Sequence, residues 1–349
     1  MTSHVALDEY NHWRLPTSGA TTGTVLGWLG PVVSEHLGDR PRARQAAAAV
    51  DEWLHLAFER ADRLAVRFQR RYFATDVGVY GLAAVAVTLG ALYSVLLPYP
   101  WARAFLWAEA AVLGLLVTTS LLDVRQRLHD RWVHYRALAE ELRACAFLWF
   151  VDRPDRSSGE RPAFATGRRG PRWLPWFART VDLLWEQRPD IPIQTEDVVW
   201  VRNLVAEGWI GDQRRYHERT RDRHLRSERR LAGVVRVAIV VTFAVAVAHA
   251  ALAYVAHPHD AEVAMGFLAI TLPGFAAAVT GVAAQREHHR HRQRFARMAH
   301  HLAMLEQGAR QADTLGLLHE KAEDAWRTIT AESADWYESM RLHRIESVS

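Results

Sequence analysis

Four long apolar segments limit what this chain can fold into more than any other feature of its sequence. Three of them contain no charged residue, and the fourth contains only Glu109. At a rise of 1.5 Å per residue, a helix of about 20 apolar residues crosses the roughly 30 Å hydrocarbon layer of a bilayer. The sequence therefore predicts four transmembrane helices, at residues 77–97, 104–122, 237–256 and 263–284.

A soluble helical bundle with wholly buried central helices is the competing interpretation, since the mean hydropathy of the whole chain is slightly negative. That average combines apolar segments with strongly polar segments between them, and such segregation is typical of membrane proteins. Aromatic residues that suit an interfacial belt surround the first predicted turn, at Tyr93, Tyr99, Trp101 and Trp107. We therefore predict an all-α polytopic membrane protein with two helical hairpins, extended by long amphipathic cytosolic helices.

Arginine is concentrated at one end of every predicted span. Twenty-three arginines flank the spans on that side, whereas the two hairpin tips, residues 98–103 and 257–262, contain Arg103 alone. The positive-inside rule then predicts that both termini and the middle segment face the cytoplasm, beside an anionic lipid leaflet. Lys321 is the single lysine among 43 basic residues, a bias typical of a high-GC bacterial genome, so we expect the bacterial inner membrane.

Composition disfavours several classes of partner and site. The basic residues alternate with Asp and Glu on helices that lead into the membrane, so nucleic-acid binding is not expected. Cys145 is the only cysteine, which excludes an intrachain disulfide and favours a reducing compartment. The sequence also lacks HExxH, paired CxxC, P-loop and GxSxG motifs, so we predict no enzyme activity, no cofactor and no metal site.

Proline is absent from residues 43–97, 101–153, 193–257 and 274–349, which predicts long helices that continue from the cytosol into the bilayer. We predict an irregular leader, a helix–span–span–helix module, a linker with a short Trp-rich segment, a second such module and a C-terminal amphipathic helix. These segments cover residues 1–42, 43–150, 151–195, 196–313 and 314–349. The repeated pattern indicates a tandem duplication or a pairing of like modules.

Two ionisable residues lie inside the predicted spans, Glu109 and His249. An intramembrane carboxylate is costly unless it faces a bundle interior or water, so Glu109 is a candidate pore residue. Alternatively, Glu109 reaches the nearby outer interface or bonds a hydroxyl group on a neighbouring helix. His249 is cheaper to bury as a neutral imidazole. Small residues predict close-packing surfaces at Ala86, Gly90, Ala110, Gly114, Gly274, Ala278 and Gly281.

The segment RWVHYRALAEELRACAFLW, residues 131–149, resembles the signature of SLATT-type membrane modules and their four-pass relatives in bacterial conflict systems. The sequences ADRLAVRFQRRY at 61–72 and GDQRRYHERTRDRHLRSERRL at 211–231 fit the same pattern. The resemblance covers about residues 61–150 and 200–310. The positions that match the signature are Tyr135, Glu140, Leu142, Arg143, Gln213, Tyr216 and His217.

The resemblance implies a membrane-perturbing or pore-forming effector with a partner that senses or produces a nucleotide. This chain departs from many relatives because it has no recognisable nucleotide-binding domain fused to its N-terminus. The sensor is then a separate protein, or the cytosolic helices bind the signal themselves. We expect Glu140, which flanks the apolar seam, to pair with Arg136 or Arg143 and to orient the cytosolic helices.

Three functions are compatible with these features. The first is an oligomeric inner-membrane effector of a bacterial defence system, in which a ring of copies permeabilises the membrane after a cytosolic, nucleotide-linked signal. A homo-oligomer is expected because four apolar helices enclose little water alone. The second is a non-conducting scaffold that docks a cytosolic enzyme. The third is a housekeeping transporter or channel, which the scarcity of polar residues in the spans disfavours.

Overall fold

The structure, a computed structural model, describes residues 10–11, 40–97, 99–152, 175–252, 254, 259–285 and 288–346. Within these ranges it contains helices and turns but no β-strand, which confirms the predicted all-α fold class. Most of the predicted leader, residues 1–42, and residues 153–174 of the predicted linker lie outside the described ranges.

The helices follow one another along the described chain, with short 3₁₀ segments at Pro100–Ala102 and Thr195–Asp197 and a π-helical segment at Leu204–Gly211. The α-helices are α1 (Pro41–Val95), α2 (Arg103–Gln126), α3 (Leu128–Phe150), α4 (Pro175–Glu186), α5 (Val198–Asn203), α6 (Asp212–Leu252), α7 (His259–Gln285), α8 (His288–Arg310) and α9 (Leu315–Glu346). The 55 residues of α1 contain no proline after the first position, so no backbone donor is missing along the helix.

One helix break was not expected from proline placement. Between α2 and α3, Arg127 adopts a left-handed backbone conformation with φ 50° and ψ 47°, and its N–H donates to the carbonyl of Asp123 at 2.9 Å. A left-handed conformation is unfavourable for a residue that carries a Cβ, so the surrounding structure must hold it. α2 therefore ends close to the C-terminal end of its apolar segment instead of continuing into α3.

Four helical stretches are long and apolar enough to cross a membrane: Pro41–Val95, Pro100–Phe150, Thr195–Leu252 and Asp260–Ala284. In their most apolar 18-residue parts, at most 11% of the residues are buried, and in two of the four parts none is buried. A soluble bundle would bury these segments inside the chain. The structure does not bury these segments as the competing interpretation requires, and the predicted all-α architecture with four potential membrane spans is confirmed.

The described residues form two compact units, and each unit contains parts of both predicted modules. The bundle unit comprises residues up to 68, residues 129–218 and residues from 296 onward. The span unit comprises residues 69–128 and 219–295. α1 and α6 each contribute residues to both units without a helix break.

The bundle unit is built on apolar stripes. The buried positions of α1 recur every three or four residues, as one face of a helix requires: Leu54, Phe58, Ala61, Leu64, Ala65 and Phe68. The ring of Phe68 stacks on Tyr135 of α3 with centroids 5.8 Å apart, and Phe147 of α3 stacks on Trp209 at 5.4 Å. Helix α1, helix α3 and the π-helical segment therefore share one core.

Glycines on α7 bring this helix close to α1 in the span unit. A Cβ on Gly274 would lie 2.8 Å from Cγ1 of Val87, and a Cβ on Gly281 would overlap the ring of Tyr80. The two contacts are two helical turns apart on each helix and run in opposite directions along the sequence. α1 and α7 therefore pack antiparallel along one seam, as close helix contacts through small residues allow.

Candidate functional site

Glu140 lies at the centre of an ion network that joins three helices of the bundle unit. Its carboxylate pairs with Arg136 one turn earlier on α3, and its Oε2 accepts a hydrogen bond of 2.9 Å from Nη1 of Arg143. Nε2 of Gln213, on α6, donates a longer hydrogen bond of 3.4 Å to the same oxygen. Nη1 of Arg136 also lies 3.3 Å from Oδ1 of Asp62, on α1. One carboxylate and its two arginines thus connect α1, α3 and α6.

The surroundings of Glu140 hold its side chain in the ionised form, although only 15% of that side chain is exposed. Burial by itself raises the pKa of the carboxyl, but Arg136, Arg143, His217 and the hydrogen bond from Gln213 outweigh burial and lower the pKa. The pKa of Arg136 is raised, chiefly by Glu140. A buried ion pair contributes little net stability compared with an apolar contact, whereas removal of one partner is costly. The network therefore constrains how the three helices meet.

The other signature residues divide into two groups. Tyr135 and Leu142 are fully buried in the bundle core, where Tyr135 stacks on Phe68. Tyr216 and His217 lie on α6 beside the network, with their rings edge to face and centroids 5.4 Å apart. His217 is buried and interacts with the charge of Glu140, whereas Tyr216 is 40% exposed. The structure therefore gathers five of the seven signature residues at one network: Glu140, Arg143, Gln213, Tyr216 and His217.

A second network, which sequence reasoning missed, surrounds the buried carboxylate of Glu306 on α8. Oε2 of Glu306 accepts a hydrogen bond of 2.7 Å from Nε of Arg214, and Oε1 accepts one of 2.7 Å from Nη2 of Arg310. The hydrogen bond to Glu306 is the main reason that the pKa of Arg214 is raised. Glu306 and Arg310 are four positions apart on α8, and this spacing predicts an ion pair between them. Arg214 is 92 residues away along the chain, and no local pattern reveals that contact.

The π-helical segment Leu204–Gly211 passes directly beside Glu306. A Cβ on Gly211 would lie 3.1 Å from both the carbonyl oxygen of Ala206 and Oε1 of Glu306, so this position favours glycine. Irregular helical turns of this type often occur at functional sites, and this one immediately precedes α6, the helix that carries Gln213 and His217.

The two ionisable residues predicted within the spans, Glu109 and His249, each face a glycine of the same hairpin. Both carboxylate oxygens of Glu109, on α2, lie 3.2 Å from the position that a Cβ on Gly90 would occupy on α1. The ring of His249, on α6, lies 3.8 Å from the corresponding position on Gly266 of α7. Both side chains are half-buried. Each polar group therefore lies against the partner helix of its hairpin, in space that a larger residue would fill.

Among the described residues, no group of three or more His, Cys, Asp or Glu is arranged to hold a metal ion. The side chains of the two ion networks can form and break ion pairs in the bundle unit. Glu109 and His249 place polar groups within the spans. Comparisons with protein families, with curated proteins and with solved structures found no match to this chain.

Proposed function

We propose that this chain is a homo-oligomeric effector of a bacterial defence system, which permeabilises the inner membrane after a cytosolic, nucleotide-linked signal. The observation that carries the proposal is the continuity of α6. Gln213 and His217 of the ion network lie on the same unbroken helix, Asp212–Leu252, as the third apolar segment. A rearrangement of the network would therefore move a helix that continues into the span. The resemblance of the network residues to the SLATT-type signature supports the same function.

The apolar surface of the span unit supports a lipid environment and self-association. Several large apolar residues of α2 and α6 are more than half exposed: Leu115, Val117, Leu121, Val240 and Phe243. Lipid tails or the helices of another copy cover such apolar surfaces. Because four helices of this composition enclose little water, a conducting path requires several copies around it.

Charge distribution supports an orientation with both termini in the cytoplasm. Arginines at the polar ends of the spans are exposed, among them Arg70, Arg125, Arg229 and Arg236. Arg103 is the only arginine or lysine at the hairpin tips. In this orientation the bundle unit meets cytosolic signals, and the exposed arginines lie beside anionic headgroups.

The test is inducible expression of the full-length chain in bacteria with a dye that reports membrane potential. We expect induction to depolarise the cells and arrest growth, and Glu140→Ala to weaken both effects because the network no longer joins α3 to α6. Glu320→Ala, at an exposed position of α9, is the matched control and should behave as the wild type. Normal growth and polarisation at full induction, with and without the genes adjoining its own, would contradict the proposal.

A non-conducting scaffold is the alternative function, and two exposed apolar residues of the bundle unit favour it. Leu56 on α1 and Met304 on α8 are 60% and 55% exposed, and a docked protein would cover such apolar residues. Purified protein in liposomes separates the two functions. A scaffold retains a soluble partner on the liposome surface and releases no entrapped ions, whereas the effector releases them.

A further inference from the structure

Glu109 is the only acidic residue within the four predicted spans, 77–97, 104–122, 237–256 and 263–284. It lies on α2, six residues after the first residue of that helix, Arg103. Its carboxylate lies against α1, with both oxygens 3.2 Å from the position that a Cβ on Gly90 would occupy. The missing side chain of Gly90 thus leaves room for the carboxylate between the two helices of the first hairpin.

No positive side chain neutralises this carboxylate within the described part of the chain, where Glu109 forms neither an ion pair nor a hydrogen bond. The four predicted spans contain no lysine or arginine that could approach it at the same depth. A carboxylate without a partner in the hydrocarbon layer is unfavourable, and such residues usually line a pathway for ions or protons.

We propose that Glu109 is a binding point for small monovalent cations, and that cations, not anions, are what the open protein conducts. This inference rests on the proposed function and names its substrate class. A mobile cation supplies the positive charge that the chain lacks at this depth. In an oligomer every copy contributes one Glu109, and rings of acidic side chains select cations in channels.

The arginines at the inner ends of the spans act in the opposite direction, because positive charge at a pore entrance attracts anions. Many of these side chains are exposed, including Arg229 and Arg236, so water and lipid headgroups screen them. Glu109 acts in a layer of lower dielectric constant, where the same charge interacts more strongly than in water. Selectivity is therefore set at Glu109 and not at the entrance.

The experiment measures currents through the full-length protein in planar bilayers of phosphatidylethanolamine and phosphatidylglycerol, with unequal KCl concentrations on the two sides. The reversal potential reports the permeability ratio of K⁺ to Cl⁻. We expect the wild type and Glu109→Asp to prefer K⁺ and Glu109→Gln to lose that preference while it still conducts. Asp260→Asn, which removes an exposed acid of the same unit near a hairpin tip, is the matched control and should keep the preference.

The outcomes separate this inference from the function on which it rests. A wild-type conductance without preference for K⁺, or a preference that Glu109→Gln leaves unchanged, overturns the cation site while the effector function stands. Equal loss of preference in Asp260→Asn also overturns it, because general surface charge would then set selectivity. Release of large dyes through a lesion without ion selectivity also overturns the cation site. Absence of any wild-type conductance overturns the proposed function and, with it, this inference.

Discussion

Nε1 of Trp326, on α9, donates a hydrogen bond of 3.0 Å to Oε1 of Glu141, on α3. Both side chains are buried in the bundle unit. Burial raises the pKa of Glu141 to about 7, and hydrogen bonds from Trp326 and Thr330 offset only part of this rise. Burial also raises the pKa of Cys145, one turn further along α3, and the charge of Glu141 adds to that effect. The contact between α3 and α9 thus contains a group that titrates near neutral pH.

The first prediction is that the stability of the bundle unit depends on the protonation of Glu141. Its pKa of about 7 in the folded chain lies above the ordinary value of 4.5. The folded state therefore binds the proton more tightly than the unfolded state does. The resulting stabilisation is complete below about pH 4.5 and is lost as the pH rises through about 7. Glu141→Gln stays neutral and can still accept from Trp326. We expect the free energy of unfolding of this variant to exceed that of the wild type by about 3 kcal/mol in mildly alkaline buffer and to match it in acid.

Denaturant unfolding of both proteins in detergent, followed by tryptophan fluorescence across this pH range, measures the difference directly. Glu320→Gln, at an exposed position of α9, is the control and should differ from the wild type by the same small amount at every pH. A difference between Glu141→Gln and the wild type that does not change with pH would show that Glu141 titrates normally.

The second prediction concerns the ion network. Glu140→Ala leaves Arg136 and Arg143 without their shared carboxylate at a largely buried site, and we expect a loss of about 3 kcal/mol in unfolding free energy. Glu218→Ala removes a more exposed glutamate that pairs with Arg214 in helical spacing, and it should cost less than about 1 kcal/mol. Equal losses in the two variants, measured by denaturant unfolding, would indicate that the buried network has no special role.

The third prediction tests the seam between α1 and α7. Gly281→Ala places a methyl group where the ring of Tyr80 lies. We expect the free energy of unfolding to fall by about 1–3 kcal/mol. The double variant Tyr80→Ala/Gly281→Ala should lose less than the sum of the losses of the two single variants, because the methyl group no longer meets the ring. Gly81→Ala, with no atom within 4 Å of the new Cβ, should lose no stability and should gain at most about 0.5–1 kcal/mol from helix propensity. Unfolding by SDS from mixed micelles compares these three variants with the wild type and with Tyr80→Ala alone, and additive effects of the two substitutions would contradict the seam.

The fourth prediction tests the π-helical segment. Gly211→Ala brings a methyl group within 3.1 Å of the backbone carbonyl of Ala206 and of Oε1 of Glu306, so we expect a loss of about 1 kcal/mol or more. Gly233→Ala, further along α6, meets no atom within 4 Å and should gain about 0.5–1 kcal/mol from helix propensity. Thermal unfolding in detergent measures both variants. A gain in Gly211→Ala would indicate that this segment tolerates a regular helix.

Local spacing along one helix could be predicted from the sequence, whereas contacts between helices could not. Glu140 was expected to pair with Arg136 or Arg143 because these residues are three or four positions apart on α3, and it pairs with both. Its hydrogen bond from Gln213 crosses 73 positions of the sequence, and the only indication of it was the family resemblance. The bond from Arg214 to Glu306 had no signal at all, since neither residue lies in a pattern that points to the other.

The sequence by itself determined that the chain is helical and that four of its segments are long and apolar enough to span a bilayer. Helix propensity, proline placement and span length are local properties, and each residue adds its contribution wherever its helix lies. The tertiary structure decided that α2 ends at Arg127, that Gly281 packs on Tyr80 and that Trp326 bonds Glu141. These features depend on which helix surfaces meet, and many pairings of similar apolar stripes are compatible with one sequence pattern.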